Sequence, residues 1–186
     1  MPHPRRAVID LMGNVGVVMR IETPRLIIRE LEPGDLDRLA AIYADPEVMR
    51  FIGKGGPLAR ERAERAIERE RANHAERGYG EGATVLRETG EMIGVSGLIV
   101  WPDIDGAQEL EVAYLLDRPW WGRGLATEVA GAISDFAIDE LGRERVVSCI
   151  YPENAASIRV AEKIGMRFEK DFDWAGHTLS LYSLTR

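Results

Sequence analysis

The sequence predicts an α+β domain, a mixed and mostly antiparallel twisted sheet flanked by helices. Three observations lead there. The chain opens with a short strand and two helices. From Gly82 it switches to period-2 segments bounded by turns, and it closes with helix, strand, helix and a terminal hairpin. Turn-linked strands pair antiparallel, whereas the strand–helix–strand passage calls for one parallel junction. A single core suits 186 residues, 45% of them apolar and 30% charged.

Thr23–Leu31 reads as a strand opened by Pro24, and Pro33-Gly34 as a turn. Asp35 is placed to cap a helix whose apolar residues Leu36, Leu39, Ala40 and Tyr43 recur at helical spacing, with Asp45-Pro46-Glu47 ending it. After the loop Gly53–Pro57, a charged helix runs from about Leu58 to Arg77. Its apolar face is thin (Leu58, Ala63, Ala66, Ile67), so it belongs on the surface. Ala83–Arg87 and Met92–Trp101 flank the turn Glu88–Glu91 as a hairpin, and Asp103–Gly106 is a further turn. In the strand Glu109–Leu116, alternation puts Leu110, Val112, Tyr114 and Leu116 on the core face and Glu109, Glu111 and Ala113 on the other. Asp117–Gly124 is a loop. A helix follows from about Leu125 to Glu140, then the strand Arg145–Tyr151 and the helix Asn154–Ile164, closed by Gly165. Met166–Asp173 and His177–Leu184 make the final hairpin around Ala175-Gly176.

Met1–Val18 has an apolar run broken by Asp10, Gly13 and Asn14, with no small-residue cleavage site, which argues against a signal peptide. These residues are expected to be a disordered leader or a misassigned start, leaving 19–186 as the domain. A net charge of −7 gives no global attraction for nucleic acid or an anionic membrane, though it suits a cationic acceptor. Apolar runs fall short of the roughly 20 residues of a membrane span. Cys149 stands alone, so no intramolecular disulfide or cysteine metal cluster can form. Inside a strand it reads as inert packing. His3, His74 and His177 have no ligand spacing, so no metal is expected. A cytoplasmic location follows as the expectation, for a monomer or a homodimer.

The stretch Trp120-Trp121-Gly122-Arg123-Gly124-Leu125-Ala126-Thr127 lies between a strand and an amphipathic helix. A glycine turn lets backbone approach a ligand, and a helix start offers free N–H groups with partial positive charge, a combination that can hold a pyrophosphate or merely reverse the chain. A Walker A loop is excluded, because no Gly-Lys-Ser/Thr follows the glycines. A dinucleotide fingerprint is excluded too, because Thr127 stands where its third Gly or Ala belongs.

Trp121–Ala126 resembles the pyrophosphate loop of the Gcn5-related N-acetyltransferase superfamily, whose pattern is Gln/Arg-x-x-Gly-x-Gly/Ala. Gly124 and Ala126 match, and Trp121 replaces the usual Gln or Arg. That replacement, together with Glu22-Thr23-Pro24-Arg25-Leu26, Glu111-Val112-Ala113-Tyr114, Asn154…Ser157 and Glu162-Lys163…Gly165, is similar to the RimJ/RimL-like branch of ribosomal-protein N-terminal acetyltransferases. The likeness runs from about Arg20 to Arg186. It implies a sheet splayed after its fourth family strand, with the pantetheine arm of acetyl-CoA entering the splay like an added strand.

The resemblance implies backbone pairing of the cofactor by Leu115 and Leu116, and a phosphate cradle over Trp121, Gly122, Arg123, Gly124, Leu125, Ala126 and Thr127, with Asn154 and Ser157 beyond. It implies Glu111 as general base and Ser157 as donor of a proton to the thiolate. Residues alone leave alternatives open. Glu111 could merely orient a neighbouring strand, with Glu109 in reserve as the base. Ser157 could bond backbone or cofactor without proton transfer, and Asn154 could cap its helix. The tyrosine acid known in other acetyltransferases has no counterpart at Ala161 or Glu162. The implied reaction is acetyl transfer from acetyl-CoA to a primary amine, a protein N-terminus or a small amine, by direct attack in a ternary complex. A non-catalytic acyl-CoA-binding regulatory domain is the alternative. The acceptor pocket is expected from the Met49–Gly56 loop, the charged helix and the terminal hairpin, with Trp101, Trp120, Trp121 and Trp174 as possible lining.

Overall fold

The computed structural model describes residues 19–186, together with the backbone of Val8–Ile9 (β1) paired antiparallel to Val15–Gly16 (β2). The remainder of the expected leader lies outside the described residues. Eight strands form one sheet: β3 (Ile21–Glu22), β4 (Leu26–Arg29), β5 (Glu81–Leu86), β6 (Met92–Ile104), β7 (Ala107–Leu116), β8 (Arg145–Ile150), β9 (Arg167–Trp174) and β10 (His177–Thr185). Their order is β3-β4-β5-β6-β7-β8-β10-β9, antiparallel throughout except for β7 with β8. The fold class is thus the expected one.

Each face of the sheet carries its own core. On one face, α1 (Leu36–Tyr43) and α2 (Arg60–Arg77) bury Leu39, Ile42, Ala63, Ala66 and Ile67 against Val85, Val95 and Leu115. On the other, α3 (Leu125–Asp135) and α4 (Ala155–Lys163) bury Val129, Ile133 and Ala161 against Ile28, Leu98 and Val112. The thin apolar stripe expected of the charged helix is the one α2 uses.

Four local readings change. The strand read over Thr23–Leu31 is confined to Leu26–Arg29, and Thr23–Arg25 form the tight turn that pairs it with Ile21–Glu22. Pro24 has no N–H to give a ladder, and the Thr23 hydroxyl accepts the Leu26 N–H at 2.9 Å. Asp35 does not cap α1. It sits in a short 3-10 turn, where its carboxylate accepts from Arg29 (2.7 and 2.8 Å) and from the Glu32 N–H (2.8 Å). β6 continues to Ile104 because the turn tightens to Asp105-Gly106, both at positive φ (52° and 89°). The helix from Leu125 becomes a π turn over Phe136–Glu140.

The parallel junction positions everything else. Glu111 opposite Val147 is its one register pair. Next to it, Arg145 on β8 holds Glu109 on β7 (3.1 Å) and makes a two-pronged bond to Glu169 on β9 (2.6 and 2.8 Å), which clamps the strands together. The Ser148 hydroxyl donates to the Val112 carbonyl at 3.0 Å. Beyond that bridge, β7 over 113–116 makes no further backbone pair with β8, and a slot lined by residues 113–115 and 148–151 lies between the two strands.

Candidate active site

The slot opens into a cleft of about 1150 Å³. One wall is α2, with Arg62, Arg65, Arg69 and Asn73. The loop after α1 supplies Phe51 and Gly53, and the opposite wall carries Trp101, Tyr151 and Trp174. The loop, the charged helix and, through Trp174, the terminal hairpin are the segments expected to build the acceptor pocket, and Trp101 of β6 and Tyr151 after β8 line the cleft with them. The Tyr151 hydroxyl donates to the Gly53 carbonyl at 2.6 Å, which ties the loop to the end of β8.

Glu111 sits where the strands part, 9% exposed. One carboxylate oxygen accepts the Trp101 indole N–H at 2.6 Å, and the other accepts the Cys149 backbone N–H at 3.0 Å. Burial pushes its pKa up to about 7, against those two donors. Glu109, the reserve base, is taken up by Arg145 and does not line the cleft. Glu81 at the start of β5 does line it. Burial, then the neighbouring Glu70 carboxylate, drive Glu81 up to about 7 against the pull of Arg69.

Ser157 and Asn154 also line the cleft. Asn154 is the N-cap of α4, its side-chain oxygen accepting the Ser157 N–H at 3.2 Å, so the capping role is real. Beside Ser157 lies the Tyr114 hydroxyl, pushed up to about 12 by burial, with the serine side chain pulling the other way. A group so placed stays protonated across the physiological range. Cys149 is pushed up by burial and by Glu111, so it is a thiol without thiolate character.

Of the cofactor residues expected from sequence, Leu115 lines the cleft on the free stretch of β7, while Leu116 and Trp121–Thr127 lie past it, where α3 begins. Gly122 and Gly124 stand at φ 72° and 76°, a region that glycine enters freely, and Gly124 is the N-cap. The N–H groups of the first turn, over Leu125, Ala126 and Thr127, have no acceptor within the helix and point outward. Trp121 is 48% exposed and donates its indole N–H to the Leu116 carbonyl at 2.6 Å, fastening the loop to the end of β7. Arg123 lies over the Trp120 ring, 4.7 Å from its centroid.

Two distant arginines hold this loop. Arg38 on α1 donates to Asp117 at 2.6 Å and to the Met92 carbonyl at 2.8 Å. Arg25 donates to the Arg123 carbonyl at 2.9 Å and to Glu128 on α3 at 2.6 Å, while Thr23 donates to the same carboxylate at 2.6 Å. The Thr-Pro-Arg motif therefore acts as a clamp on the start of α3. An open strand edge, an outward-facing helix start and positive-φ glycines fit a cofactor with an extended arm and a pyrophosphate.

Sequence reasoning missed Tyr114 and Glu81, and it named Trp101 only as lining, not as a donor to Glu111. Alternation puts Tyr114 in the core, and Tyr114 does pack against it, but the splay exposes its hydroxyl to the cleft. Trp101 carried a weak signal, an indole needing an acceptor on a strand expected to neighbour that of Glu111. Glu81 precedes the strand read from Ala83 and gave none.

A family model for the acetyltransferase (GNAT) domain matches residues 25–167. An uncharacterized N-acetyltransferase of Bacillus subtilis, YnaD, is 31% identical over 154 residues, covering 83% of this chain and 86% of its own. YkkB from the same organism, an uncharacterized protein, is 33% identical over 154 residues, covering 81% and 87%. A crystal structure of an acetyltransferase from Agrobacterium tumefaciens superposes with a TM-score of 0.77 at 30% identity, covering 91% of this chain and 95% of that one. RimL, a ribosomal L7/L12 α-N-protein acetyltransferase in complex with coenzyme A, shares the fold with a TM-score of 0.72 at 17% identity, covering 90% and 98%. The chain belongs to the GNAT acetyltransferase family and is an acetyl-CoA-dependent N-acetyltransferase.

Proposed function

We propose that this enzyme acetylates a primary amine, a protein N-terminus or a small amine, by direct attack within a ternary complex, with Glu111 as general base and the Ser157–Tyr114 pair as proton source. The observation that carries the reading is that one cleft joins a free strand edge, a buried carboxylate and a pair of hydroxyls. The donor's extended arm lies along 113–116, and its pyrophosphate rests on the N–H groups of Gly122–Thr127 with Trp121 and Arg123 beside it. The RimL neighbour, solved with coenzyme A, makes that donor the natural one to test.

The chemistry follows from the side chains. The amine must attack as the neutral form with its lone pair free, and it sheds a proton as the amide bond forms. Glu111, raised to about 7, is a stronger base than an ordinary carboxylate and is still largely ionised at pH 7.5 to 8. The amine nitrogen forms its bond to the thioester carbonyl carbon, the carbon–sulfur bond breaks, and the proton passes to Glu111. The departing thiolate takes a proton from the Ser157–Tyr114 hydroxyls, which solvent then replaces.

Calorimetric titration with acetyl-CoA, using NAD and ATP as controls, tests the donor. Selective saturable binding is the expected result, and no binding by folded protein sinks the reading. An acceptor panel of spermidine, lysine and Ser- or Ala-initiated peptides then finds the amine. With that amine, Glu111→Gln is expected to lower kcat by about 10²-fold or more while acetyl-CoA affinity stays within a few-fold.

A further inference from the structure

Two donors hold the Glu111 carboxylate, and they differ in kind. The Cys149 N–H is backbone and is fixed by β8. The Trp101 indole is a side chain from β6, held by packing rather than by covalent geometry. Its ring meets Trp174 edge-on at 5.7 Å and Phe172 at 6.0 Å, both on β9, and it packs on the small cluster of Ile104, Val147 and Leu181. The terminal hairpin therefore fixes the indole, and the indole, at 2.6 Å, fixes the second carboxylate oxygen.

Building on the assignment of Glu111 as base, we propose that Trp101 is a positioning residue of the acetyl transfer. It holds the Glu111 carboxylate in one orientation at the mouth of the slot and favours the ionised form that accepts the amine proton. Each carboxylate oxygen is engaged once, which leaves its second lone pair free for the amine or a bridging water. Without the indole N–H, the carboxylate keeps a single donor, can turn about it, and holds its proton more tightly.

Other groups face the same space and must be told apart from Glu111. They include Glu81 on β5, Tyr114 on β7, Cys149 on β8, Glu68, Glu70 and the arginines Arg62, Arg65, Arg69 and Arg77 on α2, while His177 on β10 packs on Trp174. Tyr114 and Cys149 titrate far above neutrality, whereas Glu81 is raised into the same range as Glu111, so Glu81→Gln is the control. Trp101→Phe keeps the aromatic packing and removes only the N–H.

The test is NMR of the full chain with ¹⁵N-labelled tryptophan and ¹³Cδ-labelled glutamate, titrated from pH 5 to 9. The Trp101 resonance is assigned by its loss in Trp101→Phe and the Glu111 resonance by its loss in Glu111→Gln. The Trp101 indole signal is expected to move with a midpoint near that of Glu111, to stop moving in Glu111→Gln, and to keep moving in Glu81→Gln. In Trp101→Phe the Glu111 midpoint is expected to rise by about one pH unit, a tenfold gain in proton affinity. The acid limb of the kcat/KM profile, read by thiol release with the panel's amine, is expected to rise with it. An indole that ignores Glu111, or an unmoved Glu111 midpoint and acid limb, overturns the positioning role while the loss of activity in Glu111→Gln still stands. Full activity in Glu111→Gln overturns the base assignment itself and takes this role with it.

Discussion

Glu111 and Glu81 are costly residues to bury, and their cost has a pH signature. Both carboxyls are raised from an ordinary 4.5 to about 7, so the native state binds protons that the unfolded chain has released. Their contribution to stability is complete below the ordinary carboxylate range and is lost as pH rises through about 7. Asp35, Glu128 and Glu169 are held below the ordinary range by arginine and hydroxyl partners that overcome their burial, so they act in the opposite sense and weaken the fold as pH falls below about 4. The melting temperature is therefore expected to be highest near pH 4–5 and to decline up to about pH 7, with a loss of at most about 2–3 kcal/mol per raised carboxyl. Glu81→Gln is expected to flatten that decline, and melting curves at pH 5.5, 7 and 8.5 check it. At this scale the facing of Glu111 was legible, because alternation sets it opposite the core residues Val112 and Tyr114, but alternation gives Glu109 the same facing, and it is the Arg145 partner that sets Glu109 apart. The place of Tyr114 in the cleft was not legible, since a period-2 pattern records which face a residue takes and not where the sheet beneath it opens.

Short elements of the proposed donor site are held from a distance, and their contacts account for the motifs. Glu128, in the first turn of α3, gathers Thr23, the Arg25 backbone and the Arg25 side chain into one clamp. Glu128→Ala is expected to loosen the glycine loop and weaken acetyl-CoA binding by roughly tenfold, with the strands intact, as calorimetry and circular dichroism would show. Gly124→Ala places a Cβ at φ 76°, at a cost of about 1–2 kcal/mol, and is expected to weaken donor binding as well. The Thr-Pro-Arg motif could be recognised in the sequence, but its partner stands more than 100 positions away, and no local pattern reports such a distance. The same holds for Arg38 and Asp117. Helix ends were more legible. Asn154 capped as its residue type suggests, whereas Asp35 was drawn to a stronger partner in Arg29.

Across the whole molecule, donor and acceptor sides meet at the slot but rest on different elements, so their affinities are separable. Tyr151→Phe frees the Gly53 loop without touching the glycine loop. It is expected to raise KM for the acceptor about 3–10-fold while the acetyl-CoA Kd stays within about twofold, measured by initial rates and calorimetry. Element order and the parallel junction were readable because they follow from turn chemistry and strand–helix–strand order. The cleft was not, since it is the space left where one register pair ends.

The brevity of that junction has a kinetic meaning. The strands either side of it, β3–β7 and β8 to β10, are joined within the sheet by one backbone pair, an arginine network, a serine hydroxyl and the Cys149 N–H to Glu111 bond. A donor lying along 113–116 would supply cohesion that the chain does not provide for itself, and each turnover would withdraw and restore it. The sheet would then tighten and slacken in step with catalysis, and amide exchange at 113–116 and 148–151 would report how full of donor the enzyme is.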